Sequence, residues 1–166
     1  VLLLALSSRR PLTVLEEVGL LRSAHLDVEG AGALEESRVL VRADPVFEAG
    51  FTGAGTVVAV LDSGVDRTHP DLADTVIHEY RFLQGGGDVG LGAQDDHGHG
   101  TNVTGIVAGR GVVAPRGLAP GVEVVAIKVL NSNNTGAFSD WAAGVEYVVN
   151  LHDEDNDIDV DVINMS

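Results

Sequence analysis

Residues 56–62 read Thr-Val-Val-Ala-Val-Leu-Asp, an unbroken run of β-branched and apolar residues that ends on a carboxylate. A strand with one face in water alternates polar and apolar positions; one apolar on both faces belongs in a parallel sheet covered by helices on each side. Residues 122–130 (VEVVAIKVL) are a second near-continuous apolar run, and residues 159–166 (DVDVINMS) are also rich in β-branched types. Between these strands lie two helical patterns. Residues 101–109 place Val103, Ile106 and Val107 on one face, and residues 140–150 do the same for Trp141, Val145, Val148 and Val149, with Ser139 placed to cap the second helix. Strand, helix, strand, helix, strand specifies an α/β fold: a doubly wound parallel sheet, helices on both faces, right-handed crossovers. In such sheets the chemistry sits just beyond the carboxyl ends of the strands, and Asp62 is the last residue of the first strand.

Outward from this core the composition changes near residue 45. Residues 11–26 carry Leu12, Leu15, Val18, Leu21 and Leu26 at close to helical spacing, and residues 29–36 (EGAGALEE) break the pattern, so this part reads as one helix and an acidic connector. The whole chain has 166 residues, enough for one domain with a substantial core. It has no cysteine, which excludes disulfides, a thiol nucleophile and thiolate metal sites.

Acidic residues number 25 against 10 basic ones, for a net charge of −15, and Lys128 is the only lysine. That surface repels a nucleic-acid backbone, so nucleic acid is not expected as a partner. It also suits concentrated salt, where screening removes self-repulsion, and a halophilic source is the corresponding expectation. No apolar run reaches the ~20 residues a membrane span needs. Val1–Leu6 reads either as a buried strand or as the tail of a secretory signal; Arg9-Arg10 is followed by Pro11, Glu16 and Glu17, which does not suit twin-arginine export. The chain opens on Val1 rather than methionine, which suggests a trimmed start.

Three segments stand in order: VVAVLDSGVDRTHPDL at 57–72, HGTNVTGIVAG at 99–109 and DVINMS at 161–166. Together they resemble the aspartate motif, the histidine motif and the substrate-binding strand of subtilisin-like serine proteases, from about residue 41 onward. The resemblance implies that residues 41–166 are the N-terminal part of a peptidase domain. It leaves residues 1–40 as an N-terminal extension or a partial propeptide, the protein's own propeptide being one expected partner. It implies a secreted serine endopeptidase acting on peptide or protein substrates. Asp62 then orients His99, and His99 is the general base that activates a serine hydroxyl and later returns the proton. A position at a helix start suits that base, because the positive end of the helix dipole disfavours the imidazolium. Asn102 stands where the family commonly has a second histidine, and Thr104 where it has a small alanine. His97 competes for the role of base, but only His99 is followed by Gly-Thr and a helix.

By the same resemblance a substrate peptide adds as a strand to the stretch KVLNSNNTGAFS at 128–139. Thr135 and Gly136 pair with its backbone, Leu130 and Phe138 line an apolar pocket, and Ser166 begins the opposing strand. For Phe138, ordinary core packing is the competing expectation. Asp71 matches a carboxylate that helps bind calcium in the family, although residues 110–116 lack the asparagine expected of the calcium loop. The acidic run 153–159 (DEDNDID) fails as an EF-hand, with Ile158 and Asn164 where glycine and glutamate are required.

No Gly-Thr-Ser motif for the nucleophile occurs among the 166 residues, nor the asparagine of the oxyanion hole, so the chain alone is expected to be inactive. Two other readings remain. One is a non-catalytic, peptide-binding descendant of the fold; the other is a metal-dependent hydrolase built on Asp95, Asp96, His97 and His99. Gly85, Gly87 and Gly90 fit a nucleotide-binding G-x-G-x-x-G but open no helix.

Overall fold

The computed structural model describes residues 34–83, 88–151 and 158–166. The helix expected over residues 11–26 and residues 153–157 of the acidic run 153–159 lie outside them. Two short helices come first, α1 (Leu34–Leu40) and α2 (Ala43–Glu48), joined through an Arg38–Asp44 ion pair of 2.7 Å. Helix α1 begins inside the segment expected to be a connector: Leu34 to Leu40 contains no glycine or proline, and the two glycines that break the earlier pattern, Gly30 and Gly32, precede it.

The rest is a five-stranded sheet. Its strands are β1 (Val57–Asp62), β2 (Val76–Leu83), β3 (Asp88–Leu91), β4 (Glu123–Lys128) and β5 (Val162–Met165), in the spatial order β3-β2-β4-β1-β5. All neighbours are parallel except β2 and β3. Two helices cover it, α3 (His99–Ala108) and α4 (Phe138–Val149). Residues of β1 and β4 divide by parity between the two sides. Val58, Val60, Val124 and Ala126 join Val103 and Val107 of α3; Ala59, Leu61, Val125 and Ile127 join Trp141, Val145 and Val148 of α4. A helix on each face of a parallel core is the doubly wound α/β arrangement expected from the apolar runs.

The helix faces differ from the expectation in one respect. The buried line of α3 is Gly100, Thr104 and Ala108, with Ile106 41% exposed; that of α4 is Asp140, Gly144 and Val148, with Val149 exposed. Both helices lie so close to the sheet that small residues take the centre of contact. A Cβ on Gly144 would stand 3.0 Å from Val129 Cγ1 and 3.2 Å from Ile127 Cγ2. The larger side chains flank this line. Helix α4 also starts two residues earlier than Ser139 as a cap requires: Ala137 is the cap, in extended conformation, and no side chain caps the end.

Strands β2 and β3 have no counterpart among the expected elements. β2 (VIHEYRFL), between β3 and β4, carries His78, Glu79 and Arg81 at part-exposed positions and so lacks the apolar run that marks β1 and β4. Gly90 lies within β3, and α3 begins only at His99, so the glycine-rich stretch does not open a helix. Among the described residues no helix is long and apolar enough to cross a membrane.

Candidate active site

Asp62 ends β1, between β4 and β5, and is 1% exposed. Its carbonyl accepts the N–H groups of Val129 and Leu130 at 2.9 and 3.1 Å, which fixes the strand end against the continuation of β4. Its carboxylate accepts the Ser63 N–H at 2.6 Å and faces the ring of His99, whose Nδ1 lies 2.7 Å from Oδ1 and 3.0 Å from Oδ2. His99 is the first residue of α3, reached through Gly98 at φ 101°, a left-handed conformation that glycine adopts without strain. Because a carboxylate only accepts, the neutral imidazole carries its proton on Nδ1 and keeps its lone pair on Nε2. The ring is about one-third exposed.

A hydrogen-bonded framework holds the two segments together. Asp95 accepts from Ser63 Oγ at 2.9 Å, from the N–H groups of His97 and Gly98 at 3.0 and 2.9 Å, and from Thr101 N and Oγ1 at 2.9 and 2.5 Å. Burial pushes its carboxyl up, but these donors, Thr101 and Gly98 foremost, outweigh that and bring it down to about 2. Ser63 Oγ in turn accepts the Gly100 N–H at 2.9 Å, so this hydroxyl is committed to the framework. Lys128 Nζ donates to the Ser63 carbonyl and to Asp96 at 2.6 Å.

These bonds decide against the metal-hydrolase reading. Asp95 is occupied by five donors and Asp96 by a lysine cation, and among the described residues no group of three or more His, Asp or Glu side chains is arranged to hold an ion. His97 is exposed; its ring centroid lies 6.4 Å from that of His99, which is the ring that meets Asp62.

Asp71 does not fit calcium either. Its buried carboxylate receives the N–H of Val112 and, at 3.3 and 3.0 Å, those of Val113 and Ala114. Burial pushes the carboxyl up, and the donors Val112, Ala114 and Val113 more than offset this and hold it below the ordinary value. A ring of N–H donors suits the anion itself, whereas calcium needs further oxygen ligands.

The residues assigned to the substrate are spread. Phe138 is 89% exposed, which removes core packing as its role, and it borders a groove of about 670 Å³ with Trp141, Ala142, Val145, Glu146, Met165 and Ser166. Leu130 is instead buried in the α4-side core and adjoins Gly136, whose Cβ would come within 3.1 Å of it. Residues 131–135 form a closed turn rather than a strand. The Thr135 carbonyl accepts the Asn131 N–H at 2.9 Å, and the Thr135 N–H reaches Asn131 Oδ1 at 3.3 Å. Ser166 Oγ donates to Asn164 Oδ1 at 2.9 Å. The framework of Ser63, Asp95, Thr101 and Lys128 is not evident in the sequence as a unit. The available signal is Lys128, the chain's only lysine, at the end of an otherwise apolar run that starts after Glu123.

The described residues thus combine a largely parallel α/β sheet with a strand-end carboxylate bonded to a helix-leading histidine. Residues 53–166 match the family described as the Subtilase family, and the chain belongs to it. Serine protease AprX of Bacillus subtilis (strain 168) is 31% identical over 159 residues, covering 93% of this chain and 35% of that protein. Subtilisin BL of Lederbergia lenta is 39% identical over 114 residues, 66% of this chain and 39% of that protein. Subtilisin DY of Bacillus licheniformis is 36% identical over 128 residues, 76% of this chain and 42% of that protein. The chain therefore spans well under half the length of these relatives.

Proposed function

We propose that the chain supplies the aspartate and histidine arms of a serine endopeptidase, with the nucleophilic serine and oxyanion donors coming from sequence outside these 166 residues. The observation that carries this reading is the 2.7 Å contact of His99 Nδ1 with the buried Asp62 carboxylate. Asp62 holds the proton on Nδ1, so Nε2 is the basic nitrogen. It takes the proton of an approaching hydroxyl, the resulting imidazolium is stabilised by the carboxylate beside it, and the proton is then delivered to the leaving amine. The substrate is a peptide or protein whose apolar side chain lies in the groove under Phe138, which Met165 and Ser166 also line. Secretion, processing from a propeptide that includes residues 1–40, and a salt-rich setting belong to the same proposal.

The test joins this chain to a subtilase C-terminal segment carrying the serine motif and follows cleavage of a chromogenic peptide. Turnover that falls steeply in His99→Ala and less steeply in Asp62→Ala, with the double variant no worse than His99→Ala alone, supports the reading. Multiplying losses would mean that Asp62 works independently of His99. A folded chimera that binds peptide without cleaving it supports the non-catalytic descendant instead.

A further inference from the structure

Along β1 the side chains that face α3 are Val58, Val60 and then Asp62; along β4 they are Val124, Ala126 and then Lys128. The two rows are in register, with Lys128 paired to Asp62 across the ladder. Each apolar row thus ends in a charge at the carboxyl edge of the sheet. Lys128 is the only lysine of the chain and is 4% exposed. Burying an ammonium is costly, and a methionine would fill the same volume without that cost, so packing alone does not explain the charge.

The ammonium is spent on two partners. It donates to the carbonyl of Ser63, the residue whose N–H holds Asp62 Oδ1, and to Asp96, three residues ahead of His99. Its ion pair is thus with Asp96, while Asp62 keeps His99 and the Ser63 N–H as its partners. Asp96 is half exposed, so its end of the bridge is the softer one.

We propose that Lys128 is a positioning residue for the Asp62–His99 pair, clamping the turn that follows Asp62 to the loop that leads into His99. The inference rests on the reading of that pair as catalytic machinery. Its effect passes through backbone placement: withdrawing the ammonium frees the Ser63 carbonyl and the Asp96 loop together, and the distance between carboxylate and imidazole is no longer fixed.

The proton on His99 Nδ1 gives a spectroscopic reading that needs no nucleophile. In proton NMR of the 166-residue chain, a far-downfield imidazole resonance that vanishes in His99→Ala marks the pair. In Lys128→Met its exchange with water quickens by on the order of tenfold, the loosening expected on losing a charge-assisted hydrogen bond. A folded Lys128→Met chain with unchanged position and exchange overturns the proposal. Should that variant fail to fold, Asp96→Asn removes the softer half of the clamp from a half-exposed site; quickened exchange supports the proposal and unchanged exchange overturns it. If the wild-type chain shows no resonance that His99→Ala removes, the pair itself is not formed, and both readings fall.

Discussion

Gly100, the second residue of α3, has no room for a side chain. A Cβ there would stand 2.1 Å from the Gly64 carbonyl oxygen and 3.1 Å from both Cβ and Oδ1 of Asp62. Normal contact requires a retreat of roughly 1 Å. Gly64 cannot supply it, because at φ 104° it is itself pressed against the Ala93 carbonyl, 2.3 Å from where its own Cβ would lie. The helix must move instead, which carries His99 away from Asp62 and stretches a 2.7 Å contact beyond hydrogen-bonding range. Overpacking of this kind costs about 3 kcal/mol when backbone meets backbone, and alanine returns about 1 kcal/mol of helix propensity. Gly100→Ala should therefore destabilise the fold by about 2 kcal/mol and lower Tm by roughly 4–8 °C. Gly105, in the same helix, has open space where a Cβ would stand, with nothing within 4 Å, and Gly105→Ala should stabilise by about 0.5–1 kcal/mol. Thermal melts followed by circular dichroism compare the two. Equal Tm changes, or a Gly100→Ala chain that keeps the Nδ1 proton resonance unaltered, would refute the close-approach argument.

Asp71→Ala leaves the N–H groups of Val112, Val113 and Ala114 without their acceptor and should cost about 2–3 kcal/mol in urea unfolding, with excess calcium giving no recovery; a calcium-dependent rise in Tm that needs Asp71 would contradict the donor-set argument. Asp95 is lowered from 3.8 to about 2, so its contribution is complete above about pH 4 and disappears as pH falls through the folded value near 2. With solvent screening allowed for, that is about 1 kcal/mol, and Asp95→Asn should flatten the stability profile between about pH 4 and 2; an unchanged acid limb would show that the carboxylate's donors add nothing. The net charge of −15 should make Tm rise between dilute and molar potassium chloride, and equal melts in both would remove the case for a salt-rich setting.

The parallel core was legible because burial on both faces leaves no polar position in β1 before its terminal Asp62 and only Glu123 and Lys128 at the ends of β4. β2 was not, since its side chains are mostly only part-buried, which allows His78, Glu79 and Arg81 and erases the run. Helix existence was legible and helix orientation less so: the eye follows large apolar residues such as Ile106 and Val149, while close packing follows Gly100, Thr104 and Gly144. Asp62 and His99 could be named from local motifs. The roles of Asp95 and Asp96 could not, because a string of acidic residues beside histidine reads equally well as metal ligands until their donors are known. Asp71 shows the same limit, its partners being backbone N–H groups of a loop some forty residues away, which no side-chain pattern records.

The solitary Lys128 also gives the chain a built-in gauge of opening. Its amine is the only one on any side chain, and it is enclosed between strand, turn and loop. Acylating reagents therefore find no side-chain amine on the folded surface, and each acyl group that mass spectrometry locates at residue 128 records one molecule in which the sheet edge had come apart. The rate of that labelling, measured against reagent concentration, times the opening of the Asp62–His99 neighbourhood without any engineered probe.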